Sequence, residues 1–333
     1  MSLVSTDFRV FRAAVNDDTA ANGGLITFNE SVSGVSGNLF PRVSLSERQS
    51  GVNRLRKAFY RINSTGGHTL FDAHLFMFKH TPAVDAITFF ATDFTSTQGD
   101  VLAGIEAETH YGAGTLAASA LSGAVSISVT PEQSVYPVFR QGDRIYLSDK
   151  AVYGSGTGNE EYNIIDSVTP DGDNVTIELA TPLLYGYDAI EGRVASILDH
   201  GDLAASATVL TQTVGGNLSL NAGSITVNQR GSLYDTITLT FTSASGFTAS
   251  SDLRGSLGTG SVSSTFAPVN SQTASPYFSI PPAAWSGTGQ QGDVITFRTT
   301  PAALSVMHYQ QVPAGAPEFS SNSFFMAFVG ETE

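Results

Sequence analysis

The stretch LYDTITLTF (residues 233–241) sets Ile237, Leu239 and Phe241 on one side of an extended chain and Thr236, Thr238 and Thr240 on the other. Side chains alternate across a strand with a period of two, so this pattern specifies a ribbon with one buried face. The same alternation recurs in GDVITFRT (residues 292–299) and in Val175, Ile177 and Leu179 against Thr176 and Glu178. Segments 69–80, 86–92, 125–129 and 162–168 read as further strands, separated by turns such as NSTGGH and TPDGDN. Helical periodicity is scarce, with one short helical turn expected in SLSERQS. Thirty-three glycines and an abundance of Ser, Thr, Val and Phe agree with strands joined by tight turns. No segment recurs at a fixed period, which disfavours propellers and solenoids.

The expected fold is therefore mostly β, with two or three β-sandwich or barrel-like domains joined by Gly/Ser/Ala-rich linkers. Residues 1–115 read as a β-rich domain carrying an Arg-rich segment. Residues 120–200 read as a small barrel-like inserted module, and residues 201–333 as a sandwich ending in a docking tail. At 333 residues the chain is long enough for each unit to bury its own core.

Charge narrows the function. The formal balance is −14, but residues 1–80 hold nine Lys/Arg against six Asp/Glu, and the remainder holds seven against twenty-four. That polarity argues against general nucleic-acid binding and suits one face meeting an acidic partner. There is no cysteine, which excludes disulfides and thiolate metal sites. The first residues, MSLVSTDFRVFR, lack the apolar core of a signal peptide, and no apolar run is long enough for a membrane-spanning helix. Neither a leader nor a membrane partner is expected.

The segments LYDTITLTFTSASGFTASSDLRGSLGTGSV, SPYFSIPPAAW and GDVITFRTTPAALSVMHYQQVPAGA, with the closing Gly330-Glu331, resemble a module of virion structural proteins of contractile-tailed bacteriophages. SGNLFPRVSLSERQSGVNRLRKAFYRIN resembles the same group, and together these stretches cover about two thirds of the chain. The resemblance implies a non-enzymatic particle component assembled in the host bacterial cytoplasm. Its place would be a ring-forming neck or collar subunit at the head–tail junction, contacting copies of itself and neighbouring virion proteins. A capsid decoration, baseplate or receptor-binding protein is the alternative, and a tail-spike depolymerase ranks behind it.

Several residue groups are candidates for function. Arg42, Arg48, Arg54, Arg56, Lys57 and Arg61 crowd into twenty residues opposed only by Glu47. Guanidinium pairs bidentately with carboxylates, so this cluster reads as an interface for an acidic neighbour, against the plainer reading of a solvated strand edge. DNA contact is disfavoured by the overall acidity. Phe324, Phe325 and Phe328, in the closing run SFFMAF, read as a strand that joins a sheet of its own subunit or of the next, with VPAGAP as spacer. His68, His74 and His80 lack nearby carboxylates in sequence and read as ordinary histidines. PDGDN (residues 170–174) has oxygen donors but not the spacing of a calcium loop, so a hairpin turn explains it. Glu106 with Glu108, or Glu160 with Glu161, would be the acid pairs of a glycosidase, and Tyr153, Tyr185 and Tyr187 the aromatic groove of a receptor binder. Neither GxSxG nor HExxH occurs, and no cofactor is expected.

Overall fold

The computed structural model describes residues 3–132 and 135–332. The chain is mostly β, built as a two-sheet base that carries a closed barrel and a sandwich. The base begins with β1 (Phe8–Val15), β2 (Gly23–Glu30), helix α1 (Leu45–Ser50), β3 (Val52–Ile62), β4 (Leu70–Lys79) and β5 (Ala86–Ala91). Helix α1 is held by a capping box, in which Ser44 and Glu47 satisfy each other's backbone N–H groups. A second helical turn, α2 (Gln98–Val101), follows β5.

The barrel comprises β6 (Ala113–Leu116), β7 (Ser126–Pro131), β8 (Arg144–Ser148), β9 (Glu160–Asp171), β10 (Asn174–Leu179) and the first half of β11 (Arg193–Leu203). Pairing runs β11-β6-β7-β10-β9-β8, and β8 pairs back onto β11, which removes free edges from this module. Ile127, Val129, Ile145, Leu147, Ile165, Ile177 and Val194 fill its interior. The hairpin at PDGDN closes on Gly172, which takes φ +63°. Beyond Ser196, β11 leaves the barrel and pairs with β4. One continuous strand thus belongs to both modules.

The sandwich follows: β12 (Ser206–Thr213), β15 (Asp235–Phe241), β16 (Gly246–Ser251), β17 (Gly255–Ser261) and β22 (Val294–Thr300) form a sheet in the order β12-β22-β15-β16-β17. Facing it lie short pairs made by β13 (Ser219–Leu220), β14 (Thr226–Val227), β18 (Val269–Asn270), β19 (Ser275–Pro276), β20 (Phe278–Ser279) and β21 (Trp285–Ser286). Ile237, Leu239 and Phe241 point into this core, as their alternation requires, and Trp285 packs at its margin against Phe241 and Phe247.

The last two strands go elsewhere. β23 (Ala303–Val312) inserts between β3 and β5, and β24 (Phe325–Glu331) pairs with β4. A single domain over 201–333 is therefore not what forms: residues 206–300 make the sandwich and the rest returns to the base. Both inserted modules begin and end on paired strands, Ala113 with Ala195 and Ser206 with Thr300. Each can therefore interrupt the base without separating the strands it joins.

The returning tail splits its three phenylalanines. Phe328 packs edge-on against Phe8 and Tyr60 at 5.4 and 6.1 Å, and Phe324 lies against Phe40 and His308. Phe325 points outward and is half exposed. Replacing Phe328 by Ala is expected to destabilise the chain by about 2–3 kcal/mol, the low side for a Phe truncation because the ring is half-buried. Phe325→Ser should stay within about 0.5 kcal/mol of wild type. Urea unfolding of the two variants checks the contrast.

Candidate functional site

Strand β3 is central in its sheet, between β1 and β23, and both of its faces are covered. Tyr60 and Ile62 enter the core between the two sheets of the base, while Phe59 enters a second core beneath the sandwich. The cations on β3 are consequently interior, and the expected interface is corrected at four positions. Arg54, Arg56, Lys57 and Arg61 are at most 5% exposed. Arg54 pairs with Glu47 and Asp18. Arg56 donates to Asp17 O at 2.7 Å and to Asp18 Oδ1 at 2.6 Å. Lys57 Nζ donates to the carbonyls of Asp93, Phe94 and Ser96 at 2.7, 3.0 and 2.9 Å, and burial drops its pKa to about 7 against the charges of Asp93 and Asp100. Of the six, Arg42 remains exposed and Arg48 half-buried.

Arg61 is fully buried and has no carboxylate partner among the described residues. Its guanidinium donates to Gln229 O at 2.9 Å and to Ser232 O at 3.0 Å, both in the loop that leads from β14 into β15 of the sandwich. The rings of Phe11 and Phe28 lie 5.6 and 5.5 Å from its carbon. Desolvation lowers its pKa to about 9. Ser64 donates to Gln229 Oε1 and Gln229 Nε2 to His68 O, which extends the tie between base and sandwich. Gly231 lies within this loop because a Cβ there would sit 2.0 Å from Pro276 O.

The histidines take three different roles. His68 contributes its carbonyl, and His80 donates from Nδ1 to Thr81 O at 2.7 Å. His74 lies with Asp72 and Asp199, whose ligand atoms all fall within 4.8 Å of one another. That grouping is invisible in sequence because β4 and β11 bring it together. Arg144 sits in its midst, donating to Asp72 at 3.1 Å and to His74 Nδ1 at 2.7 Å, with Asp199 at 3.4 Å. A guanidinium thus fills the position a cation would take. His308, unnoticed in sequence, is fully buried on β23. It donates from Nδ1 to Arg56 O at 3.3 Å and accepts the Tyr60 hydroxyl at Nε2, 2.8 Å away.

Glu160 and Glu161 are engaged by different partners. Glu160 accepts from Tyr146 at 2.5 Å and pairs with Lys150 at 2.8 Å, while Glu161 accepts the backbone N–H of Leu184 at 2.9 Å. Glu106 is exposed on a short 3₁₀ turn. The three tyrosines do not make a groove: Tyr187 is in the barrel core and Tyr153 packs on Phe76 and Phe78. A buried acid pair that sequence did not suggest is Asp85 with Glu132. Burial, opposed by the Ile87 N–H and reinforced by Asp85, pushes the Glu132 carboxyl up to about 8.

Two surface features stand out by chemistry. At one end of the barrel, Leu121, Leu184, Tyr185 and Ile190 are 78, 70, 44 and 87% exposed. Their loops are laced together: Ser122 Oγ donates to Leu184 O at 2.9 Å, Gly123 N to Leu183 O at 2.8 Å, and Ala189 N to Ser119 Oγ at 3.0 Å. The rim is therefore both apolar and fixed. The second feature is the sandwich, where residues 206–300 carry three acidic and three basic side chains and so are neutral, against eleven and four in residues 113–196. A shallow groove of about 310 Å³ on the sandwich is lined by Arg254, Asn270, Gln272 and Tyr277. No protein-family model, curated protein or solved structure matches this chain.

Excising residues 206–300 and joining the ends through a short Gly-Ser turn would strip Arg61 of its carbonyl acceptors. The remaining base and barrel should fold well only with Arg61→Met added, and thermal melts should separate the two shortened chains by at least about 3 kcal/mol. His308 predicts an acid response. Its burial depresses the folded-state pKa to about 4, below the ordinary 6.5. Between those values the unfolded chain binds a proton that the folded chain refuses. Stability from this residue is complete above about pH 6.5 and lost as pH falls toward 4, up to about 3 kcal/mol. Urea midpoints of wild type and His308→Gln across that window should converge at the acid end.

Proposed function

We propose that this protein is a structural subunit of a tailed-bacteriophage particle, a ring-forming neck or collar component at the head–tail junction that works by assembly with copies of itself and with neighbouring virion proteins. The observation that carries the assembly reading is the fixed apolar rim of the barrel. Four large apolar side chains stand on loops whose backbones are already hydrogen-bonded in the free chain, so burying them against protein requires little ordering of those loops. Charge supports the same reading. Copies bearing −14 each repel one another least through the neutral sandwich. The placement at the neck rests on the resemblance of residues 36–63 and of the C-terminal segments to phage structural proteins.

The proposal locates contacts away from the Arg-rich strand, which is occupied within the subunit. Capsid decoration, baseplate and receptor-binding roles use the same kind of surface and are separated from the ring by stoichiometry. Analytical ultracentrifugation and electron microscopy of the purified chain, alone and with particle extracts, are expected to show a closed oligomer or incorporation into particles. The double variant Leu121→Asp/Ile190→Asp should abolish either, while its unfolding free energy stays within about 1 kcal/mol of wild type. A chain that remains monomeric and never enters particles would remove the assembly reading.

A further inference from the structure

Asp85, Glu132 and Gln310 meet where four segments converge: the loop between β4 and β5, the end of β7, strand β23 and the stretch leading into β24. All three residues are at most 9% exposed. Asp85 accepts from Gln310 Nε2 and from Asn322 Nδ2, each at 2.7 Å. Glu132 Oε1 accepts the N–H of Ile87 at 2.9 Å, and Ile87 is the ladder partner of Gln310. The Thr81 hydroxyl lies 3.3 Å from the same Glu132 oxygen and donates to Asp85 O at 2.7 Å. Among the described residues, Glu132 Oε2 and Gln310 Oε1 are buried and meet no donor. Neither carboxyl group enters an ion pair found among the described residues.

Among the described residues, two neighbouring buried acids thus lack a cation and two buried oxygens lack a donor. An unsatisfied buried acceptor costs about 1–3 kcal/mol, and a charged one more. We propose that Glu132, Asp85 and Gln310 form a structural site for a hard divalent cation of the calcium class, with Thr81 beside it. The donors are all oxygen, from carboxylate, amide carbonyl and hydroxyl, which is the set that calcium takes and that zinc or copper does not select. A double charge balances the two carboxylates, and the irregular donor geometry suits calcium better than the stricter octahedron of magnesium. Bound there, the ion would pin the barrel, the β3–β23 sheet and the tail together. A proton on Glu132 is the competing occupant. The site is independent of the assembly reading.

The test uses the full-length chain stripped with EDTA and dialysed against CaCl₂, with bound calcium measured by elemental analysis and stability by thermal melting. One saturable equivalent per chain is expected, together with a melting temperature that keeps rising with the logarithm of calcium concentration. Glu132→Gln should weaken binding at least about tenfold, by removing a charged ligand. Asp171→Asn/Asp173→Asn, which changes only exposed hairpin acids, should leave it unaltered. If Glu132→Gln does not fold, Gln310→Met, which removes the amide carbonyl, carries the same expectation. Wild type that takes up no ion from about 10 mM calcium, magnesium or manganese, well above the weakest protein sites, overturns the proposal in favour of the proton. Binding that survives the Glu132 and Gln310 variants, or is lost in the hairpin variant, overturns it too.

Discussion

Strand β3 is paired along ten residues with β23, from Arg61 opposite Ala303 to Val52 opposite Val312, and it carries cations into the interior on both faces. A buried cation is costly unless acceptors meet part of its donor set, because desolvation costs several kcal/mol per ion. Here most of the acceptors come from other parts of the chain: the loops at Asp17 and Asp93–Ser96, and the sandwich loop at Gln229–Ser232. The ladder therefore does more than join two ends of the sequence. It makes the closing of those loops a condition for burying the strand at all.

Two of the ties join whole modules. Arg61 holds the sandwich to the base through backbone carbonyls, and Arg144 gathers Asp72, His74 and Asp199 where the barrel meets β4 and β11. In both cases a planar, permanently charged group bridges elements that arrive from different directions, a task suited to guanidinium rather than ammonium. Lys57, with three carbonyls around a compact head, is the complementary case. These polar groups are spent internally and are not available for outside contact.

The strands of the sandwich and barrel were legible because each buries one face, so alternation reports burial directly. Ile237, Leu239 and Phe241 and Val175, Ile177 and Leu179 are such runs, and the helical turn at SLSERQS was readable from its capping residues. The Arg-rich segment misled for the opposite reason. On a strand covered on both sides alternation is lost, and a basic run looks the same whether it faces solvent or the carbonyls of a distant loop. The tail was readable as a strand, but not which of its phenylalanines would turn outward. Asp85 with Glu132, His74 with Asp199, and His308 with Tyr60 are separated by about 50, 125 and 250 positions in sequence, and no local pattern marks them.

By itself the sequence determined that this is a β protein without cysteine chemistry, with charge concentrated outside the segment that became the sandwich, because composition and period act residue by residue. Tertiary structure alone decided that the sandwich, too, interrupts the base, that β23 and β24 complete the base, and that the basic strand lies inside. Those outcomes depend on which distant segments supply carbonyls and apolar faces to each other. That information resides in pairs of segments, and it becomes visible only when the ladder between β3 and β23 has closed.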